Sequence, residues 1–467
     1  METEEYALQF CMFEKGGVLL KAINVEQKIN ESRFNSLHGM VLFWCAFIIV
    51  FDGYDLVIYG SALSSILAEW GITPKEAGSL QSLALVGMML GALIFGPLAD
   101  KIGRKKVILL CVALFSIFTV GIVFVNNPTT FGIFRFIAGV GLGGVMPNTV
   151  ALTTEYAPKK LKSTLVSIMF SGYSVGGVLA AGIAIMVIEP FGWRALFLVG
   201  GLPLLALPFM YKTLQESPRF LIANNKKEEL GKIIQKIDST YKFDESHTFV
   251  MEAKEEKGAP IMNLFRNNRA LSTIVFWIAF FMCLLMIYGL NTWLPQLIKG
   301  AGVEVNGLVF LLVLNFGAIF GAIFGGQLAD RFGSKVILIA FFLGASTSLT
   351  LLGLVHNLMV MYILVAIAGA TTIGTQIIMN SYISQYYPVE MRSSGLGWAL
   401  GIGRLGAIAG PMIGGLLMTI SLPYYQNFMV FAIPGVIGFL MVILVQQKYS
   451  STTQEQSYIK RELVEES

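Results

Sequence analysis

Four charged side chains stand inside stretches that are otherwise apolar: Asp52, Asp55, Arg135 and Arg404. A charge at the centre of a bilayer costs about 2.5–3.5 kcal/mol on insertion scales, so such groups face a wet cavity or one another. Asp52 and Asp55 are three residues apart and Tyr59 is four beyond Asp55, so a helix sets all three on one face. Two carboxylates close together and away from bulk water make a site that binds a proton, and a nearby arginine competes with that proton. Arg135, which opens an Arg-x-x-x-Gly segment, is the cation expected to pair with the aspartates, and proton coupling is expected at Asp52, Asp55 and Arg135.

Arg404 lies about ten residues into its run among Gly401, Gly403 and Gly406, with no acidic residue in the same run. A guanidinium left accessible by small neighbours suits two-point recognition of a carboxylate. It would equally serve as a structural partner for Asp52, Asp55 or a helix C-terminus. Around it, Tyr59, Tyr288, Asn291, Gln376, Asn380 and Trp398 are candidate substrate-binding residues. Thr372, Gln376 and Asn380 recur at helical spacing, and such a stripe either lines a cavity or ties helices together. Trp277 and Trp398 could stack on a substrate ring, while Trp293 reads as an anchor at the membrane interface.

The elements that hold these residues follow from composition. Of 467 residues, 55% are hydrophobic and only 13% charged, with mean hydropathy +0.70; a soluble chain carries about 25% charge. Apolar runs fall near 38–62, 78–99, 107–125, 129–153, 164–188, 194–212, 271–292, 307–329, 336–355, 358–383, 394–419 and 424–446. Each is long enough to span a bilayer as a helix. The fold class is therefore an all-α membrane protein of twelve transmembrane helices, six on each side of a polar stretch. The expected divisions are an N-terminal segment 1–37, a six-helix bundle 38–212, a central loop 213–270, a second bundle 271–446 and a tail 447–467.

With the N-terminus inside, the inner loops and tails hold 28 Lys and Arg, and the outer loops hold only Lys75, Arg194 and Lys299. That bias places both termini in the cytoplasm of a cell-membrane protein. The polar head and long first run are expected to remain uncleaved. The net charge of +4 is too small an excess to suggest nucleic acid. No metal or organic cofactor is expected: His38, His247 and His356 are apart, and Cys11, Cys45, Cys111 and Cys283 are scattered. Gly139, Gly141 and Gly144 match GxGxxG, but inside an apolar helix with no preceding strand they read as helix packing.

The two halves repeat. Gly96-Pro-Leu-Ala-Asp100-Lys-Ile-Gly103-Arg104-Lys105 aligns with Gly326-Gln-Leu-Ala-Asp330-Arg-Phe-Gly333-Ser-Lys335, six of ten positions being identical. The same offset sets Gly139 on Gly369, Tyr156 on Tyr386, Pro158 on Pro388 and Ser163 on Ser393. Duplicated halves change the fold reading to two pseudo-symmetric six-helix bundles. A carboxylate beside several cations on a Gly turn can form ion pairs with a neighbouring helix end in one conformation and lose them in another. Gly96, Asp100, Gly103, Arg104, Lys105, Glu155, Asp330, Gly333, Lys335 and Arg392 are the candidate latch, the C-terminal copy being weaker for want of an arginine at Ser334. Gly317, Gly321 and Gly325, and likewise Gly406, Gly410 and Gly414, lay smooth stripes suited to sliding or to static packing.

The 96–105 loop resembles the signature loop of the major facilitator superfamily, and Arg135 with Gly139 resembles its fourth-helix motif. Glu216-Ser-Pro-Arg-Phe220 is similar to a segment after the sixth helix in sugar-porter-like and organic-ion branches. Asp52-Gly-Tyr-Asp-Leu-Val-Ile-Tyr-Gly60 and Gly141-Leu-Gly-Gly-Val-Met-Pro-Asn148 resemble the aromatic acid:proton symporter family, the first being most similar to its benzoate transporters. The resemblance covers about residues 40–445. It implies roles in proton-coupled transport for Asp52 and Asp55, and in handling the aromatic carboxylate for Arg404. The function expected is uptake of a small benzoate-like carboxylate with a proton, by a monomer in the lipid bilayer that is not an enzyme. Protonation at Asp52 and Asp55 would release Arg135 as the carboxylate docks on Arg404. The alternatives are an exporter or exchanger of the same fold for another anion, a sugar or an organic cation, or a receptor that binds without moving its ligand.

Overall fold

The computed structural model describes residues 12–15, 18–238, 241, 248–251, 261–300, 305–388, 391–420 and 422–451. Cys11, His247 and parts of the 1–37, 213–270 and 447–467 segments lie outside the described residues. Among the described residues, twelve helices are long and apolar enough to cross a membrane. They are α1 (Ser36–Trp70), α2 (Pro74–Ile102), α3 (Arg104–Phe124), α4 (Pro128–Tyr156), α5 (Lys162–Phe191), α6 (Arg194–Thr213), α7 (Ala270–Gly300), α8 (Gly307–Phe332), α9 (Ser334–Leu352), α10 (Leu358–Tyr386), α11 (Arg392–Thr419) and α12 (Tyr425–Leu444). In a medium without water every backbone group must bond within the segment, which is why these runs are helical.

Polar residues between runs set the helix limits. Asn35 caps α1 in a reciprocal pair with His38, Thr73 and Glu76 do the same for α2, and Pro74 and Pro128 stand in the first turns of their helices. Gly103 (φ +102°) and Gly333 (φ +89°) end α2 and α8 in a backbone region that other residues rarely adopt. The helices outrun the apolar stretches mostly by a turn or less, because capped and charged residues at each end still have helical backbone.

Within each half, helices approach through glycine. A methyl group on Gly139 would meet the Ala84 carbonyl, and one on Gly91 the Val140 carbonyl, so α2 and α4 touch backbone to backbone. Gly317 and Gly321 do the same with Ala366 and Ala370 of α10, and Gly406 with Phe281 of α7. The two glycine stripes thus lie inside the C-terminal half and fix its shape, which favours static packing over sliding. The GxGxxG glycines likewise pack against α2 and α3.

Between the halves, the contacts gather toward one end. A Cβ on Gly60 (α1) would strike the Asn291 carbonyl (α7), one on Gly78 (α2) the Pro411 carbonyl (α11), and one on Gly415 (α11) the Pro74 carbonyl (α2). Ser82 Oγ donates to the Ile408 carbonyl at 2.7 Å and Gln296 Nε2 to Ser64 Oγ at 2.5 Å. These groups lie in the helix halves away from the central segment, which we call the far face. The opposite face, toward the central segment, is the loop face.

Three short strands supplement the helices: β1 (Met12–Lys15), β2 (Val18–Asn24) and β3 (Thr248–Val250). β2 pairs with β3 in parallel, Ala22 to Thr248 through Asn24 to Val250. The N-terminal and central segments, read separately from sequence, are therefore joined. Lys28–Asp238 (3.0 Å) and the bond from Asn35 Nδ2 to the Lys236 carbonyl reinforce the tie.

Candidate functional site

The two aspartates of α1 meet different partners. Arg135 Nη1 of α4 donates to Asp55 Oδ1 at 2.7 Å, and Nη2 donates to Gln81 Oε1 of α2 at 3.0 Å. Arg135 is 1% exposed, with the Tyr59 and Phe197 rings 5.9 and 6.0 Å from its guanidinium carbon. Tyr59 sends its hydroxyl to the Ala77 carbonyl at 2.6 Å, so it braces this buried pair and does not reach Arg404. Asp55, Arg135 and Gln81 form a closed cluster within the N-terminal half. Asp52 is not part of it.

Asp52 is 2% exposed, forms no ion pair among the described residues, and has an Oδ2 without a hydrogen-bond donor among them. The charges acting on it are Arg404 and Asp55. Arg404, near mid-length of α11, donates from Nη1 to the Tyr288 hydroxyl of α7 at 3.2 Å; its Nη2 reaches only the soft Met146 Sδ of α4, at 4.0 Å. Tyr288 in turn shares a hydrogen bond of 3.3 Å with Tyr173 of α5. A guanidinium has five N–H donors, so most of this one is uncommitted. The structure thus brings Asp52, Tyr173, Tyr288, Arg404 and Met146 to the seam between the halves.

Other expected residues stand apart. Asn291 bonds the Ile287 carbonyl and accepts from Asn315 Nδ2 of α8 at 3.1 Å, within the C-terminal half. Thr372 bonds back to its own helix, Gln376 is half-buried, and Asn380 Oδ1 is buried without a partner. Trp398 is 44% exposed and lies beside Trp277 with centroids 5.9 Å apart. Six residues of helix, about 9 Å of rise, separate it from Arg404. Trp293 is fully buried and donates to the Pro411 carbonyl at 2.9 Å, so it is a packing residue and not an interfacial anchor.

At the loop face, Arg104 Nε donates to Glu155 Oε1 at 2.9 Å, Ser217 Oγ donates to Glu155 Oε2 at 2.5 Å, and Asp100 lies 4.0 Å from Arg104. Glu216 Oε1 accepts the backbone N–H groups of Lys105 and Ser217, and its carboxylate fills the space beside Gly103. All these bonds stay within the N-terminal half and the segment after it. In the second copy, Lys335 Nζ reaches the Ile443 and Val445 carbonyls, both at 2.8 Å, and Arg392 Nε the Tyr387 carbonyl at 3.2 Å. Asp330 forms no ion pair among the described residues. Among the described residues, these bonds of the two copies lie within one half or between it and the segment that follows it.

Sequence reasoning missed Tyr173, Gln81 and Asn315. Gln81 and Asn315 were visible as amides inside apolar runs; Tyr173 gave no signal, because tyrosine is common in membrane helices. No group of three or more His, Cys, Asp or Glu able to hold a metal occurs among the described residues.

Two glycine-packed six-helix halves with charged residues at the seam define a transporter architecture, and the family comparison agrees. The profile described as Major Facilitator Superfamily matches residues 45–399 and 307–465, and the chain belongs to that superfamily, in its aromatic acid branch. It is accordingly a multi-pass membrane transporter and not an enzyme. Among individual relatives, it is 44% identical over 436 residues to the benzoate transport protein of Acinetobacter baylyi, covering 92% of this chain and 94% of that one. It is 35% identical to the gentisate transporter of Corynebacterium glutamicum, with 89% of each chain covered. The fold is similar to that of the xylose transporter XylE from E. coli in its inward open conformation (TM-score 0.70, 18% identity, 87% of this chain and 96% of that one).

Proposed function

We propose that this protein takes up a small aromatic, benzoate-like carboxylate across the cytoplasmic membrane together with a proton, by alternating access. The observation that carries the reading is Arg404, with most of its donors uncommitted, at the same seam as Asp52, whose buried Oδ2 has no donor among the described residues. The substrate's carboxylate takes two guanidinium donors in fork fashion. Met146 supplies a polarizable flank for an aromatic ring. Asp52 carries the proton, because Asp55 already has Arg135 as partner; this revises the expectation that protonation frees Arg135. Proton and carboxylate enter as a pair with no net charge.

Main-chain contact between the halves at the far face corresponds to one of two access states, and rocking of the halves about the seam gives the other. The excess of Lys and Arg on the loop face supports its placement in the cytoplasm, with both termini there. The 44% identity to a benzoate transport protein supports the substrate class. The protein acts as a monomer, since one chain supplies every group named.

Purified protein in liposomes is expected to accumulate labelled benzoate when the outside is acidified, and to stop when an uncoupler is added. Accumulation indifferent to the gradient would refute the proton coupling. Competition by gentisate, nicotinate and an aliphatic acid ranks the substrates.

A further inference from the structure

Tyr173 has no part in the roles assigned so far, yet it is the N-terminal half's point of contact with the carboxylate site. Among the described residues, the hydrogen bonds between the halves are Ser82–Ile408, Gln296–Ser64, Arg404–Met146 and Tyr173–Tyr288. The first two seal the far face, and the third ends on a thioether. Only Tyr173–Tyr288 joins two hydroxyls at the level of Arg404. On its own side, Tyr173 is the neighbour of Asp52: a Cβ on Gly53 would strike the Tyr173 carbonyl, so α1 and α5 touch backbone to backbone one residue from Asp52. The charges and phenol acting on Tyr173 are Tyr288, Asp52 and Arg404.

We propose that Tyr173 is a positioning residue that transmits the protonation of Asp52 to Tyr288, and so to the carboxylate site on Arg404. A hydroxyl has one proton to donate and two lone pairs. When Asp52 is protonated, Tyr173 donates to Tyr288; Tyr288 then accepts from both Tyr173 and Arg404, and its own proton is left for the substrate's carboxylate. When Asp52 is ionised, its charge draws the Tyr173 proton to itself. Tyr288 then donates to Tyr173 and offers nothing to the substrate. Binding is therefore favoured by the proton without any direct contact between Asp52 and the ligand. Within the relay no bond other than hydrogen bonds changes, and the transported proton stays on Asp52 while the carboxylate is bound.

This inference rests on the reading of Arg404 and Asp52 as carboxylate and proton sites. Its test is Tyr173→Phe, which removes one oxygen and leaves the ring. Benzoate binding to purified protein, measured from pH 5 to pH 8, is expected to weaken at least tenfold across that range in wild type and by less than threefold in Tyr173→Phe. Gradient-driven uptake in liposomes should fall at least tenfold in the variant, while benzoate counterflow without a gradient stays within threefold of wild type. Tyr288→Phe should flatten the same pH profile, and the double variant should flatten it no further, since the two hydroxyls act as a unit. A Tyr173→Phe protein that keeps the wild-type pH profile overturns the inference, as does one that is monodisperse yet loses binding and counterflow together. If Tyr173→Phe is not recovered folded, an unchanged pH profile in Tyr288→Phe overturns it. Wild-type protein that neither binds nor moves benzoate refutes the functional reading itself, and this inference with it.

Discussion

The two halves share a backbone plan but not a distribution of charge. In the N-terminal half, Asp55, Arg135 and Gln81 form a closed buried cluster, and Arg104, Glu155, Ser217 and Glu216 knit the loop face. At the repeat offset, the C-terminal half has Val365 for Arg135, Ser334 for Arg104 and Gln385 for Glu155. Its cation near mid-length of a membrane helix is Arg404, bonded at the seam to the Tyr288 phenol and to the soft Met146 thioether. One half thus uses charge to fix its own shape, and on the proposed reading the other presents charge to a ligand.

The largest effect is expected where a buried pair is broken from one side. Arg135→Ala leaves Asp55 uncompensated and should cost about 3–5 kcal/mol, seen as loss of folded protein or a large drop in melting temperature in detergent. Replacing both partners, Asp55→Leu with Arg135→Met, should recover most of that stability; recovered uptake as well would make the pair purely structural, and absent uptake would give it a second role. Arg404→Ala is the converse: uptake should fall at least 100-fold while the melting temperature stays within a few degrees. A collapse in stability there would erase the contrast between the halves.

Smaller effects should separate the two loops. Glu155→Gln weakens the bonds to Arg104 and Ser217 and should destabilise by about 1–3 kcal/mol, as for a group bonded to charged partners. Gln385→Ala at the matching position removes an uncharged amide whose Nε2 donates to the Ser381 hydroxyl at 2.8 Å, and should destabilise by only about 0.5–1 kcal/mol. Ser334→Arg restores the missing loop arginine but finds no glutamate at position 385, and should be near neutral unless Gln385→Glu is added.

Much of the fold was legible because a membrane leaves few choices: runs of apolar residues must be helices, and the polar breaks between them mark the ends. The charged site residues were legible for the same reason, since four charges in apolar runs cannot be incidental. Their pairing was not. Residues three apart on a helix point about 60° apart around its axis, enough for Asp55 to turn into its own half and Asp52 to the seam. How each helix is rotated depends on all its neighbours, and spacing within one helix carries no record of that. Tyr59 goes with Asp55, its ring beside Arg135 and its hydroxyl on the Ala77 carbonyl, and not with Asp52. The strand pairing between Val18–Asn24 and Thr248–Val250 was illegible for a related reason, because it joins segments more than two hundred residues apart.

Gly60, Gly78 and Gly415 make the far face a joint of main chain resting on main chain. Such a joint has no long side chains to immobilise on closing and few polar groups to strip of water, so parting it demands little work each time. Machinery that cycles repeatedly profits from a shutter of this kind, tight when shut and light to lift. Even one added methyl at Gly60 would wedge it ajar against Asn291.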